Sequence, residues 1–180
     1  MVEPVIYCFS DETSERAKRV GNARQAYHDA RGTPNSYGLR ASRAESARIN
    51  RAGALAELCV AEYFGVADHW VEVTDDYHGL KGDVVPGLEV RSTRWPHGGV
   101  LLHPKDDDDR LYVSVRTHEA NTHQRVQIVG WVSGRVGKQE KWWDDPQPGR
   151  FCYVVPADAL RPVQELVVTS EGARYAETAF

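Results

Sequence analysis

The residues best suited to chemistry in this sequence are two acids and an arginine that lie close together in the chain. Asp83 follows Gly82, and Glu89 precedes Arg91 by two positions. Two carboxylates that converge can hold a divalent metal, and a guanidinium beside them can face a phosphate group. These residue types therefore indicate metal-assisted chemistry on a phosphate ester, provided that the chain brings the two acids together.

Whether the acids converge depends on the turn between them. The segment 82–95 has the pattern of a β-hairpin with Pro-Gly at its centre. A two-residue loop would place Asp83 and Glu89 on opposite faces, whereas a three-residue loop, 85–87, sets one opposite the other. The longer loop is favoured because Pro-Gly prefers a type II turn, whose twist fits two-residue hairpins poorly. Glu89 and Arg91 then share a face by simple alternation.

A third acid lies on the helix predicted upstream. Ser42 and Glu45 have the spacing of a capping box, and a helix could run from there to Phe64 before Gly65 ends it. Glu57 falls within the apolar half of this helix. Because burying an unpaired carboxylate is costly, Glu57 lies either at the edge of the packed face or is held by a cation or metal.

The remaining segments predict a mixture of helices and strands. Ser10 and the acids after it start a first helix over residues 11–30, which contains no proline. Runs rich in β-branched and aromatic residues predict the strands. These runs are 69–74, 111–116, 126–132 and 151–155, and residues 100–102 form a further short apolar run.

Two polar segments interrupt these elements. The region 96–110 is rich in Gly, Pro and Asp. Its four consecutive aspartates, 106–109, could attract cations, but they are interpreted as a solvated turn. The segment 137–149 is predicted to be a surface excursion. Its paired tryptophans, Trp142 and Trp143, either stack on nucleic-acid bases or pack onto the body of the protein.

Length and composition indicate a single soluble domain. The chain has 180 residues, of which 41% are hydrophobic and 27% charged, and no apolar run approaches the roughly 18 to 20 residues of a membrane span. The first residues lack the pattern of a signal peptide, so we expect an intracellular, cytoplasmic protein without a membrane partner. The three cysteines are expected to be buried free thiols, since their spacing suits neither a zinc site nor a disulfide framework.

The positive charge is concentrated in the first third of the chain. The net charge is −4, yet residues 1–56 hold nine Lys and Arg against six Asp and Glu. Arginines bind phosphates in two-point contacts, so this region is predicted to contact nucleic acid, with a solvated helix face as the alternative. The predicted contact residues are Arg40, Arg43, Arg48, Arg51 and, near the end of the hairpin segment, Arg94.

Taken together, these motifs resemble the PD-(D/E)XK nuclease superfamily. The matching residues are Gly53 and Glu57 on the helix, Gly82-Asp83, and Glu89-Val90-Arg91. The resemblance implies an α/β (α+β) single domain with a restriction-endonuclease-like core, in which a central mixed β-sheet is flanked by helices. Residues 1–43 would form a basic helical N-terminal arm and residues 44–180 the core.

The same resemblance implies a ligand set and a substrate. Asp83, Glu89 and the carbonyl of Val90 would bind Mg2+, which Mn2+ could replace, while Glu57 orients a ligand or water. Arg91 would face the scissile phosphate of DNA, and a homodimer is left open. Two features depart from the family pattern: Arg91 replaces the usual lysine and cannot accept a proton, and no helix is evident after the acidic strand.

The leading hypothesis is therefore a Mg2+-dependent nuclease that hydrolyses phosphodiester bonds in DNA. The alternative is a non-catalytic nucleic-acid-binding or protein-interaction module with the same fold. In that case Asp83 is an acid beside a turn, and Glu89 and Arg91 form an ion pair on an exposed sheet face. A hydrolase with a His or Cys nucleophile or base is poorly supported, because no Cys or Ser lies in a recognisable turn motif.

Overall fold

The computed structural model describes residues 3–32, 41–70, 82–146 and 148–175. Within these residues the chain forms two long helices, nine strands and several short helical turns. The helices are α1 (Asp11–Arg31), α2 (Arg43–Tyr63), α3 (Ala120–His123) and α4 (Gly134–Gly137). The strands are β1 (Val5–Cys8), β2 (Leu88–Thr93), β3 (Val100–Leu102), β4 (Leu111–Arg116), β5 (Arg125–Ser133), β6 (Trp143–Asp144), β7 (Cys152–Val155), β8 (Leu166–Thr169) and β9 (Gly172–Tyr175).

Both long helices begin and end where the sequence predicts. The Ser10 hydroxyl accepts a hydrogen bond from the Thr13 amide at the start of α1, and the Ser42 hydroxyl accepts one from the Glu45 amide at the start of α2. These caps satisfy main-chain donors that have no partner within a helix. The predictions for both helices are therefore confirmed.

A four-stranded mixed sheet in the order β1-β5-β4-β2 forms the centre of the domain. Strands β2 and β4 are parallel, and β5 is antiparallel to both β4 and β1. This arrangement confirms the predicted α+β fold with a central mixed sheet. Because β1 is part of the sheet and α1 packs along α2, residues 5–31 belong to the same folded unit as the rest.

The two faces of the sheet are covered differently. Helices α1 and α2 cover one face, where Leu58 packs in a core with Val113 and Ile128. A small sheet in the order β3-β7-β6 covers the other, where Tyr112 and Val129 pack with its strands. Since β4 is covered on both faces, all six of its residues are buried.

The predicted hairpin at 82–95 does not form within the described residues. Only β2 is a strand, and residues 82–87 form bends and a turn. The turn has two central residues, closed by a hydrogen bond from the Leu88 amide to the Val85 carbonyl, and the φ of Gly87 is 81°, as in a type II turn. The twist of a type II turn does not match that of two paired strands, so the segments on either side of the turn diverge. The predicted three-residue loop and the predicted pairing of Asp83 with Glu89 are therefore wrong. The Asp83 amide instead bonds to the Leu88 carbonyl.

Several further predictions meet the structure. The predicted strands at 111–116, 126–132 and 151–155 correspond to β4, β5 and β7, and the short apolar run at 100–102 forms β3. The strand predicted at 69–74 is wrong at its start, since His69 ends a short helical turn and Trp70 lies in no strand, while the rest falls outside the described residues. Residues 96–110 contain β3 and turns but no helix, as the sequence indicates.

The cysteines and the paired tryptophans differ in how far they are buried. Cys59 and Cys152 are buried free thiols as predicted, whereas Cys8 is exposed on the edge strand β1. Trp142 packs against the core between the central sheet and the small sheet. Trp143 is partly exposed, and its ring stacks on that of Phe151. Among the described helices, none is long and apolar enough to cross a membrane.

Helices α1 and α2 cross at a point where only glycine fits. A Cβ atom built on Gly21 would lie 2.5 Å from the Arg51 Cα, closer than real contacts allow. We predict that Gly21→Ala lowers the free energy of unfolding by about 1–3 kcal/mol, because the helices must move apart. The measurement is urea denaturation followed by circular dichroism.

The matched control is Gly53→Ala on α2. A Cβ there meets only the Glu57 Oε1 at 4.0 Å, an ordinary contact. This substitution should raise the stability by up to about 1 kcal/mol, since alanine is the better helix former. Equal effects of the two substitutions would contradict the close crossing.

Candidate functional site

The predicted acids meet around the guanidinium of Arg91. Glu89 and Arg91 alternate along β2, so both side chains leave the strand on one face. The Arg91 Nη1 lies 3.3 Å from Glu89 Oε2 and 3.9 Å from Asp83 Oδ2. Asp83 reaches this point because its carboxylate accepts a hydrogen bond of 2.8 Å from the Val90 amide. The structure therefore brings Asp83, Glu89 and Arg91 together without the predicted hairpin.

Asp106 is a third carboxylate in this cluster. Its Oδ1 lies 3.2 Å from Arg91 Nη2, and its Oδ2 accepts a hydrogen bond from the His103 amide. The Asp106 side chain is only 4% exposed, so the prediction of a solvated turn is wrong for this residue. The other three aspartates of the run are exposed, as predicted.

Arg110 is the second cation of the cluster. It precedes β4 directly and forms an ion pair with the carboxylate of Glu89. Tyr112 is the second residue of β4. Its ring lies 5.1 Å from the Arg91 guanidinium and makes a cation–π contact with it. We refer to Asp83, Glu89, Asp106, Arg91 and Arg110 as the acid cluster.

The electrostatics of the acid cluster favour added positive charge. Burial raises the pKa of Asp83 well above its usual value, and the negative charges of Glu57 and Glu89 raise it further, while Arg91 and the Val90 amide act in the opposite direction. Burial would lower the pKa of Arg91, but Asp106, Asp83 and Glu89 raise it, so the guanidinium stays protonated. Arg91 therefore cannot act as a base.

Glu57 is held by a cation rather than placed at the edge of its helix. Arg24 on α1 donates two hydrogen bonds to its carboxylate, of 2.7 and 2.6 Å, and Trp70 donates a third of 3.1 Å from its indole. The side chains of Arg24 and Glu57 are 6% and 7% exposed. Of the alternatives that the sequence leaves open, the structure shows a buried ion pair.

Main-chain groups of β2 also reach the site, at the edge of the strand that faces away from β4. The carbonyls of Gly87 and Thr93 accept hydrogen bonds from the amides of Leu111 and Thr117 on the β4 side. Because main-chain groups alternate between the two edges of a strand, those of Val90 point away from β4. The Val90 amide donates a hydrogen bond to Asp83 on that side, and the Val90 carbonyl leaves the strand at the same edge.

The donors of the acid cluster suit Mg2+. Mg2+ prefers oxygen ligands and is often bound through one or two carboxylates, with water and substrate oxygens completing its shell. Asp83 Oδ2 and Glu89 Oε2 both face one positively charged atom, the Arg91 Nη1. Among the residues that the structure describes, no three His, Cys, Asp or Glu side chains are grouped to hold a metal ion. Asp83 and Glu89 are the two carboxylates that could hold such an ion, with the other ligands supplied by water and substrate.

Arg91 has room to leave that position. Its side chain also lines a cavity of about 550 Å3 between β2 and the small sheet, together with Trp95 and Arg150. Because a guanidinium and a divalent cation repel each other, a metal at the acids would favour an Arg91 turned towards this cavity.

The predicted nucleic-acid-binding arginines separate into groups. Arg48, Arg51 and Arg94 line one cavity, which Lys18 of α1 also lines. Arg43 lies elsewhere, where its 82%-exposed side chain pairs with Asp29. Arg40 falls outside the described residues.

The arginine cavity and the acid cluster lie towards opposite ends of β2. Glu89 is the second residue of the strand, and Arg94 follows its last residue. Five residues of extended chain span about 16 Å. The two sites are therefore separate, although one strand joins them.

The sequence predicts Glu57, Asp83, Glu89 and Arg91 but misses three residues that pair with members of this set, namely Arg24, Asp106 and Arg110. Arg24 continues the buried stripe of Ala17 and Val20 at helical spacing, which is a signal that an arginine there needs a buried partner. Asp106 and Arg110 carry no such signal, because their role depends on how β4 aligns with β2.

Comparison of the chain with models of protein families, with curated proteins and with solved structures finds no match.

The buried pair of Arg24 and Glu57 generates a stability prediction. Arg24→Met should lower the free energy of unfolding by about 3–5 kcal/mol, because it leaves the Glu57 carboxylate buried without its cation. The double variant Arg24→Met with Glu57→Leu should lose less than Arg24→Met alone, since no charge is then left unpaired. Urea denaturation of the three proteins is the measurement, and a double variant less stable than Arg24→Met would contradict the prediction.

The raised pKa of Asp83 generates a pH prediction. Below the ordinary pKa of 3.8, Asp83 is protonated in both folded and unfolded protein, so it does not oppose folding. Between the ordinary pKa and the higher folded-state pKa, Asp83 keeps its proton in the folded protein but loses it in the unfolded protein. The free energy of unfolding therefore falls as the pH rises through this range. We predict that Asp83→Asn reduces this loss, measured by denaturation in EDTA from pH 4 to 8.

The exposed Asp109 provides the control for this measurement. Its side chain is 81% exposed, so Asp109→Asn should leave the pH dependence of stability close to that of the parent protein. An Asp83→Asn variant with the parent's pH profile would contradict the assignment of a disfavoured charge to Asp83.

Proposed function

We propose that the protein is a Mg2+-dependent nuclease that hydrolyses phosphodiester bonds in DNA. The observation that supports this best is the convergence of Asp83 Oδ2 and Glu89 Oε2 on one point, 3.9 and 3.3 Å from Arg91 Nη1. The Asp83 carboxylate is poorly placed for stability, because burial raises its pKa and the charges of Glu57 and Glu89 raise it further. Such groups are more common where function requires them.

The residues of the acid cluster have distinct roles in this proposal. Asp83 and Glu89 would hold Mg2+ with the Val90 carbonyl, and Mg2+ when bound supplies a Lewis acid and a water of lowered pKa. Arg91 would move from these carboxylates onto an oxygen of the scissile phosphate and offset charge there in the transition state. Asp106 positions Arg91, and Arg110 balances Glu89.

The buried pair of Glu57 and Arg24 contributes to the site indirectly. Glu57 lies near enough to Asp83 to raise its pKa, and its own carboxylate is occupied by Arg24 and Trp70. We therefore propose that Glu57 acts on the acid cluster through its charge and through the position of α2, rather than as a metal ligand.

One observation favours the second candidate, a non-catalytic nucleic-acid-binding module. Arg91 already neutralises the acids that would bind the metal, and arginine holds carboxylates more firmly than lysine does because its guanidinium offers several donors. A protein in which this pairing persists would bind nucleic acid without cleaving it.

Cleavage of end-labelled single-stranded and duplex DNA with Mg2+, Mn2+ or EDTA tests the proposal. We predict cleavage that requires the metal and falls by about 100-fold or more in Asp83→Asn and in Glu89→Gln, since each removes a charged oxygen ligand. Asp109→Asn, which changes an exposed acid outside the acid cluster, is the matched control and should cleave normally.

Direct Mn2+ titration of Arg91→Ala completes the test. Loss of the competing guanidinium should tighten Mn2+ binding roughly tenfold, which corresponds to 1.4 kcal/mol, while cleavage falls because the phosphate loses its cation. Salt-dependent DNA binding with no cleavage under any of these conditions would reject the nuclease and leave the binding module.

A further inference from the structure

The arginine cavity at the end of β2 has the properties of a ligand site in its own right. It has a volume of about 340 Å3 and lies where α1, α2, the end of β2 and the turn after β4 meet. The close crossing at Gly21 brings Lys18 of α1 and Arg51 of α2 to the same cavity. We refer to this space as the basic cavity.

The cations of the basic cavity outnumber the acids that contact them. Arg48 and Arg94 share a single carboxylate, that of Glu45, which lies 3.0 Å from Arg48 Nε and 3.1 Å from Arg94 Nη2. Lys18 pairs with Glu15, but both side chains are more than half exposed, so the pair is weak. Four cations therefore face two carboxylates.

Arg51 is the cation best placed for an additional ligand. Within the described part of the chain, no carboxylate oxygen lies within 4 Å of its guanidinium. The paired contacts of Arg48 and Arg94 on Glu45 show that guanidinium groups at this cavity can converge on one oxyanion. A phosphate carries up to two negative charges and several acceptor oxygens, which match this arrangement.

Beside the cations and the polar Ser14, Thr117 and Asn121, the basic cavity has an apolar surface that suits a flat organic group. Phe9, Ala17 and Ala120 are buried beneath the cavity, and Leu55 is partly buried beside them. Ligand sites typically combine an apolar surface with a few convergent polar groups in about 300–1,000 Å3. The volume of the basic cavity lies near the lower limit, so it suits one nucleotide rather than a longer segment of a strand.

The shape of the basic cavity argues against a solvated helix face. Cations that only solvate a helix point outwards from a convex surface, whereas these four line a concave space with an apolar base. A lipid surface would also require a convex or flat basic face.

We propose that the basic cavity binds a single phosphate-bearing nucleotide, with its phosphate on Arg51, Arg48 and Arg94 and its base against Phe9 and Leu55. The nucleotide is either free or the phosphorylated end of a strand, since both present the same chemistry. This site is independent of the proposed nuclease activity, because it lies towards the other end of β2 from the acid cluster.

Isothermal titration calorimetry at low salt tests the proposal with dAMP, adenosine and inorganic phosphate. We expect dAMP to bind at least tenfold more tightly than adenosine, and more tightly than phosphate. Arg51→Gln and Arg94→Gln should each weaken dAMP binding roughly tenfold, which corresponds to 1.4 kcal/mol. Arg19→Gln, on the exposed side of α1, is the matched control and should bind as the parent does.

Short oligonucleotides with and without a 5′-phosphate distinguish the two sources of the nucleotide. Binding of only the phosphorylated oligonucleotide, lost in Arg51→Gln, identifies a strand end, whereas binding of dAMP alone identifies a free nucleotide. Asp83→Asn should bind dAMP normally, so loss of nuclease activity and loss of this site are separable. Equal binding of dAMP and adenosine, or dAMP binding unchanged in Arg51→Gln with native circular dichroism, would overturn the proposal, as would no binding of dAMP.

Discussion

The parallel pairing of β2 with β4 is the constraint on which both sites depend. Two parallel strands need a connection that returns to the starting end of the sheet, and here residues 94–110 make that return. The register aligns Leu88 with Leu111, so Arg110 arrives beside Glu89. Asp106 reaches Arg91 through the same connection. At the other end of β2, Arg94 leaves the strand next to α2 and enters the basic cavity.

The positive and negative charges of the acid cluster do not balance. Three carboxylates face the two guanidiniums of Arg91 and Arg110, which leaves one negative charge in a largely buried place. Burying charge in this way is rarely an efficient means of stabilising a fold, because desolvation offsets much of the attraction. In the function that we propose, the surplus negative charge and the raised pKa of Asp83 serve a site that accepts a further cation. The negative charge of Glu57 on α2 raises the pKa of Asp83 further.

Local signals were sufficient to predict much of the fold. The helix bounds follow from the caps at Ser10 and Ser42, and β4 and β5 follow from their β-branched residues. What the sequence could not predict depends on contacts between distant residues. The parallel partner of β2, the small sheet that covers Tyr112, and the burial of Asp106 all require the register of β4. The hairpin prediction was wrong because Pro-Gly was expected to favour a three-residue loop, whereas Gly87 lies in a type II turn with two central residues.

A crystal structure of the protein soaked in Mn2+ tests the central claim most directly, because the anomalous signal of the metal locates it without reference to activity. We predict a single strong peak within about 2.3 Å of carboxylate oxygens of Asp83 and Glu89, with Arg91 turned away from both. A structure in which Arg91 still bridges Asp83 and Glu89, with no peak beside them at a saturating Mn2+ concentration, would contradict it.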